Sequence, residues 1–129
     1  MNPDRIKVIV AEPKKEPYVK EVTNNLESFQ KLVGGDIEIH PSFFSHDFEY
    51  DFILNEEGKI NKLPLNRFIW DGSDIASGNL IIAKCDNDTG EFIDLTDDDI
   101  KFLLEQIKEK CPKVPPYVRY KEAELEYDI

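Results

Sequence analysis

Seven carboxylates, Asp86, Asp88, Glu91, Asp94, Asp97, Asp98 and Asp99, stand between positions 86 and 99 with no Lys or Arg among them. Asp47, Glu49, Asp51, Glu56 and Glu57 form a second acidic cluster. Acids at this density suggest metal binding, acid–base catalysis or attraction of a basic partner. A calcium loop needs a ligand at its fifth position and Gly at its sixth. Asp86-Asn87-Asp88-Thr89-Gly90 puts Gly fifth and Glu91 sixth, so the register fails. Structural zinc is held by closely spaced Cys or His pairs, and Cys85, Cys111, His40 and His46 supply none. No metal and no cofactor is expected. Proton-transfer pairs cannot be picked out of 27 acids without geometry. Solvation is the ordinary explanation of acidic runs; the sharper one is steering towards a basic partner. Asp86, Asp88, Glu91, Asp97, Asp98 and Asp99 are the residues expected to carry it.

Nucleophilic catalysis requires a nucleophile, a base and an orienting group. His40 and His46 are the only imidazoles and neither lies in a nucleophile motif. Cys85, at a strand end, reads as a small apolar residue, so no catalytic residue is assigned and no enzyme is expected. Gly34-Gly35 follows a helix, whereas a phosphate cradle opens one. Asn66 and Arg67 stand out because they interrupt the apolar stretch Leu63–Trp70. On the structural reading, Asn66 caps a turn and Arg67 pairs with one of the acids. On the functional reading, Arg67, Asn66 and Trp70 supply charge, hydrogen bonds and a stacking face to a small ligand, for example a nucleotide.

Whole-chain properties narrow the classes. The formal net charge of −11 argues against direct binding to nucleic acid or an anionic membrane. At 129 residues, 40% of them hydrophobic, the chain suits one ordinary domain. No run approaches the roughly 20 apolar residues of a membrane-spanning helix, and the start lacks a signal peptide's apolar core. Two cysteines make no disulfide framework. A cytoplasmic protein with free thiols, monomeric or a small homo-oligomer, is expected.

These residues need elements to position them. Ile6–Ala11 predicts a central strand, with Glu12–Pro17 as a turn and Tyr18–Val22 as the returning strand of a hairpin. Leu26, Phe29 and Val33 predict a helix over Asn25–Val33, closed by Gly34-Gly35. Ile37 and Ile39 alternate with polar residues in a half-buried strand limited by Pro41. Ser42–Asp47 reads as loop, Tyr50–Leu54 as strand and Asn55–Gly58 as turn, with extended chain resuming at Lys59-Ile60. Leu63–Trp70 suits a covering loop or a short edge strand, and Asp71–Asp74 another turn. Leu80–Ala83 is a second buried strand, and Asp86–Gly90 a turn before Phe92–Leu95. Thr96 and Asp99 make a capping box with Asp in place of Glu, ahead of a helix with Ile100, Leu103, Leu104 and Ile107 on one face and Pro112 at its end. The order favours α+β: a compact antiparallel or mixed sheet of about five to six short strands with two amphipathic helices. Residues 1–112 are expected to form this single domain, with 113–129 a Pro-rich, charged C-terminal extension.

An ordered series of segments also resembles a known family. It runs through Val8-Ile9-Val10-Ala11-Glu12-Pro13, Leu26–Gly35, Ile37-Glu38, Asn55-Glu56-Glu57-Gly58-Lys59, Leu63-Pro64-Leu65-Asn66-Arg67, Asp74-Ile75 and Gly78. Over roughly residues 6 to 84 the chain resembles domain-of-unknown-function family 3846, small proteins found on phages, plasmids and conjugative elements. The resemblance implies a small cytoplasmic accessory protein of a mobile element and brings no catalytic residues. Joined to the charge pattern, it leads to an expected function. The chain is read as a non-enzymatic interaction protein, a counter-defence inhibitor presenting an acidic surface to the basic groove of a host protein. The small-ligand reading is the alternative.

Overall fold

Alternation along each strand decides which layer its side chains enter. The computed structural model describes residues 4–47, 49–121 and 124–127. In chain order its elements are β1 (Arg5–Ala11), β2 (Tyr18–Thr23), α1 (Leu26–Val33), β3 (Ile37–Pro41), β4 (Tyr50–Asn55) and β5 (Leu65–Ile69). They continue with β6 (Asp74–Ser77), β7 (Leu80–Cys85), β8 (Phe92–Ile93), α2 (Asp97–Lys110), β9 (Val118–Lys121) and β10 (Glu124–Tyr127). The main sheet runs β2-β1-β7-β4-β3, with β8 also on β7. Every pairing in it is antiparallel. Two further two-stranded pairs, β5–β6 and β9–β10, lie outside it. Two helices and a mostly antiparallel sheet make the fold α+β.

The central strands are buried on both faces, which is why β1 and β7 read as near-continuous apolar runs. Val8, Val10, Ile53 and Ile81 face α1 and pack with Phe29 and Val33. Ile9, Phe52, Leu80 and Ile82 face the other way, against Leu103 and Ile107 of α2 and Ile69 of β5. Each such large side chain, fully removed from water, contributes about 1.5–3 kcal/mol.

Local chemistry sets both helices. Asn25 accepts a hydrogen bond from the Ser28 N–H at 2.8 Å as the N-cap of α1. Gly34, at φ +79°, ends it in the left-handed conformation that L residues other than Gly resist. At α2 the expected capping box is complete: Thr96 Oγ1 accepts from Asp99 N–H at 3.1 Å, and Asp99 Oδ2 accepts from Thr96 N–H at 2.8 Å.

Two local expectations are corrected. Lys59-Ile60 is not extended. Asn61 N–H donates to Glu57 O at 2.9 Å and Leu63 N–H to Gly58 O at 2.9 Å, so the segment is a run of turns. The expected turn at Asp71–Asp74 gives way at Asp74 to strand β6, which pairs with β5. The segment beyond Pro112 also meets the domain. Lys113 bridges Arg67 in β5, and Val114 N–H donates to Asn66 O at 3.1 Å. Glu124–Tyr127 pairs with Val118–Lys121.

Candidate functional site

The 86–99 acidic run and the start of the second cluster, Asp47 and Glu49, meet at one end of the main sheet, while Glu56 and Glu57 follow β4 at its other end. Antiparallel pairing sets Tyr50 opposite Lys84 and Asp51 opposite Ala83. The stretch entering β4 therefore lies beside the stretch leaving β7. Cys85 N–H donates to Glu49 O at 2.6 Å, and the Asn87 side-chain amide donates to Asp47 O. Asp86 Oδ1 accepts from Asp88 N–H at 2.9 Å, while Asp86 N–H donates to Glu91 O at 2.8 Å, folding the turn before β8. Among the described residues, Asp47, Asp86, Asp88 and Glu91 have no ion pair. The first turn of α2 lies over the same end, bringing the exposed Asp97 and Asp98 to it.

Asp99 departs from that group, and its assignment to the acidic surface is corrected. It is only 6% exposed. Tyr50 Oη donates to its Oδ1 at 2.5 Å, and Lys84 Nζ donates to both oxygens at 3.1 Å. Burial pushes its pKa up, but bonds from Tyr50, Thr96 and Lys84 outweigh that and hold the carboxyl down at about 2. The same contact and burial push Tyr50 well above the ordinary phenol range, so it keeps the proton it donates. Asp99 therefore works as a structural acid. Lys84 is also within 3.9 Å of Glu49, so its charge is spent inside the fold.

Asn66 and Arg67 are hydrogen-bonded to each other, but Trp70 is not brought to them. Asn66 is 1% exposed, and its amide nitrogen donates to Ala11 O at 2.7 Å and Gly78 O at 2.8 Å. It ties the end of β1 to the turn before β7 rather than capping a turn of its own. Trp70 donates its indole N–H to Pro41 O at 2.9 Å and stands edge-on to His40. It occupies the left-handed region at φ 51°, followed by Asp71 at 55°. Such backbone costs roughly 1–2 kcal/mol per residue. Trp70 and Arg67 line different cavities.

Arg67 has the more unusual surroundings. It is 2% exposed, yet no carboxylate lies within ion-pair distance among the described residues, against the expectation that an acid would pair with it. Its Nε donates to Asn66 Oδ1 at 2.9 Å and its Nη2 to Lys15 O at 2.9 Å. Burial lowers its pKa, offset in part by Cys111 and Glu16. It lines a cleft of about 500 Å³ whose walls include Leu104, Ile107 and Cys111 at the end of α2. Lys108, Lys113 and Glu16 also border the cleft, and Lys113 Nζ meets Glu16 Oε1 at 2.7 Å. Burial pushes the Cys111 thiol up to about 11, which keeps it protonated. Reading the sequence alone missed Glu16, Lys108 and Lys113 as neighbours of Arg67; the basic last turn of the helix was the available signal. Among the described residues no three His, Cys, Asp or Glu converge as metal ligands, and no helix is long and apolar enough to cross a membrane.

An antiparallel sheet flanked by one helix on each face, with an acidic end and a buried arginine, defines a small α+β protein. The chain belongs to the family described as Domain of unknown function (DUF3846), which matches residues 6–108. The match runs past residue 84, where the resemblance in sequence faded, to take in most of α2. No curated protein and no solved structure matches the chain.

Proposed function

We propose that this protein is a non-enzymatic binding protein whose acidic end enters a basic groove of another macromolecule. The observation that carries the reading is the convergence of Asp47, Asp86, Asp88 and Glu91, without ion pairs among the described residues, at one sheet end beside Asp97 and Asp98. Charges of one sign held on a hydrogen-bonded turn between paired strands and on a capped helix lose little freedom when a partner arrives. Their summed field speeds encounter and orients it. A groove built for a phosphate backbone is such a partner. Its occupation would exclude nucleic acid by charge and by bulk without this chain touching nucleic acid itself. The proposal extends to a cytoplasmic counter-defence role on a phage, plasmid or conjugative element, with a host protein as the partner.

Affinity capture from host lysate tests it, comparing wild type with a D86N/D88N/E91Q variant at low and moderate salt. Wild type is expected to retain a basic protein that added double-stranded DNA competes away, and the variant to lose most of it. Equal retention by both at low salt overturns the reading.

A further inference from the structure

We infer that the Arg67 cleft is a binding site for an organic anion with an apolar body and a carboxylate or phosphate head. The guanidinium has five N–H donors. Two are used, by Asn66 Oδ1 and Lys15 O, and three have no acceptor among the described residues. The used donors are on Nε and Nη2, which leaves both hydrogens of Nη1 and one of Nη2, a pair of nitrogens spaced to grip a carboxylate or phosphate in two-point fashion. A cation removed from water and left without a counter-charge is costly. The cleft it borders is the place where a counter-charge can be supplied.

The rest of the cleft fits the same ligand. Leu104 and Ile107 wall it with hydrocarbon, and about 500 Å³ is within the ordinary range for small-molecule sites. Lys108 and Lys113 give its border a positive bias in a chain whose net charge is −11. Among the described residues Glu16 is the one acid lining it, and its carboxylate is held by Lys113 rather than by Arg67. Glu16 therefore repels an arriving anion while leaving the guanidinium free. This site is separate from the acidic end, and neither proposal depends on the other.

Titration of the full chain with octanoate, octyl phosphate, 1-octanol and inorganic phosphate, followed by amide NMR shifts and thermal unfolding, tests the inference. One or both of the eight-carbon anions should shift amides around Arg67 and Lys113 and raise the Tm. A carboxylate preference and a phosphate preference are told apart by the first two probes. Octanol should bind about tenfold or more weakly, as a lost charged hydrogen bond implies. Glu16→Gln should tighten binding of the preferred anion, because it removes the repelling charge and keeps Arg67 intact. Leu104→Trp should fill the cleft and abolish binding with the amide spectrum otherwise preserved. The inference is overturned if neither anion shifts these amides at millimolar concentration. It also fails if octanol matches them, if inorganic phosphate matches octyl phosphate, or if Glu16→Gln leaves affinity unchanged.

Discussion

Replacing Asp99 by Asn changes almost no volume but removes one charge and turns one of two accepting oxygens into a donor, and the charge gives the loss its pH dependence. The Asp99 carboxyl sits at about 2 in the folded chain, against about 3.9 for an unfolded aspartate. A folded value below the unfolded one means that the ionised form is favoured by folding. Its stabilisation is complete above pH 4–5 and disappears as pH falls through about 2. At about 1.4 kcal/mol per unit, the gap amounts to roughly 2–3 kcal/mol at neutral pH, with about half remaining near pH 3. Because the residue is 6% exposed, solvent screens little of this. Asp99→Asn is therefore expected to lower unfolding free energy by at least about 2–3 kcal/mol at pH 7, and this ionic part should fall below half near the folded pKa. Urea unfolding across pH, followed by fluorescence of the single Trp, half-buried Trp70, measures the gap between the two proteins. Exposed Asp98→Asn is the control. A gap between wild type and Asp99→Asn that stays constant from neutral to acid pH would refute the assignment of Asp99 as a structural ion.

Two further substitutions probe the frame around the sites. Asn66→Ala orphans the buried Ala11 and Gly78 carbonyls and the Arg67 Nε–H. At about 1–3 kcal/mol for each group left unsatisfied, a loss of at least 2 kcal/mol is expected in urea unfolding. Gly58→Ala places a Cβ 2.9 Å from the Ser77 carbonyl oxygen. Backbone on both sides must shift, and calorimetry should show a cost of about 1–3 kcal/mol.

What was legible in the sequence follows the range of the forces involved. The capping box of α2 was readable because donor and acceptor lie three residues apart. The β1–β2 hairpin and the β7 run were readable because alternation and β-branching are local too. β6 was missed because its four residues are a strand only by virtue of β5, a partner set by the turn between them. Lys59-Ile60 was misread because backbone bonds over three to five residues outweigh its apolar-polar pattern. Among the site residues the acidic type was legible and its exposure was not. Asp99 is distinguished from Asp97 and Asp98 by Tyr50, 49 positions away, and by Lys84. Arg67 was visible as an oddity, but its real contacts reach Lys15, 52 positions back, and its neighbour Asn66 reaches Ala11, 55 back.

The main sheet ends on β2 at one margin and β3 at the other. Four of the six β2 residues are exposed, Lys20 and Glu21 among them. β3 closes on Pro41, which has no amide hydrogen to offer. An incoming strand must therefore desolvate charge on one side and meet a broken donor row on the other. Lateral growth into fibres is thus opposed at both margins, so crowding many copies together need not seed a shared β-structure.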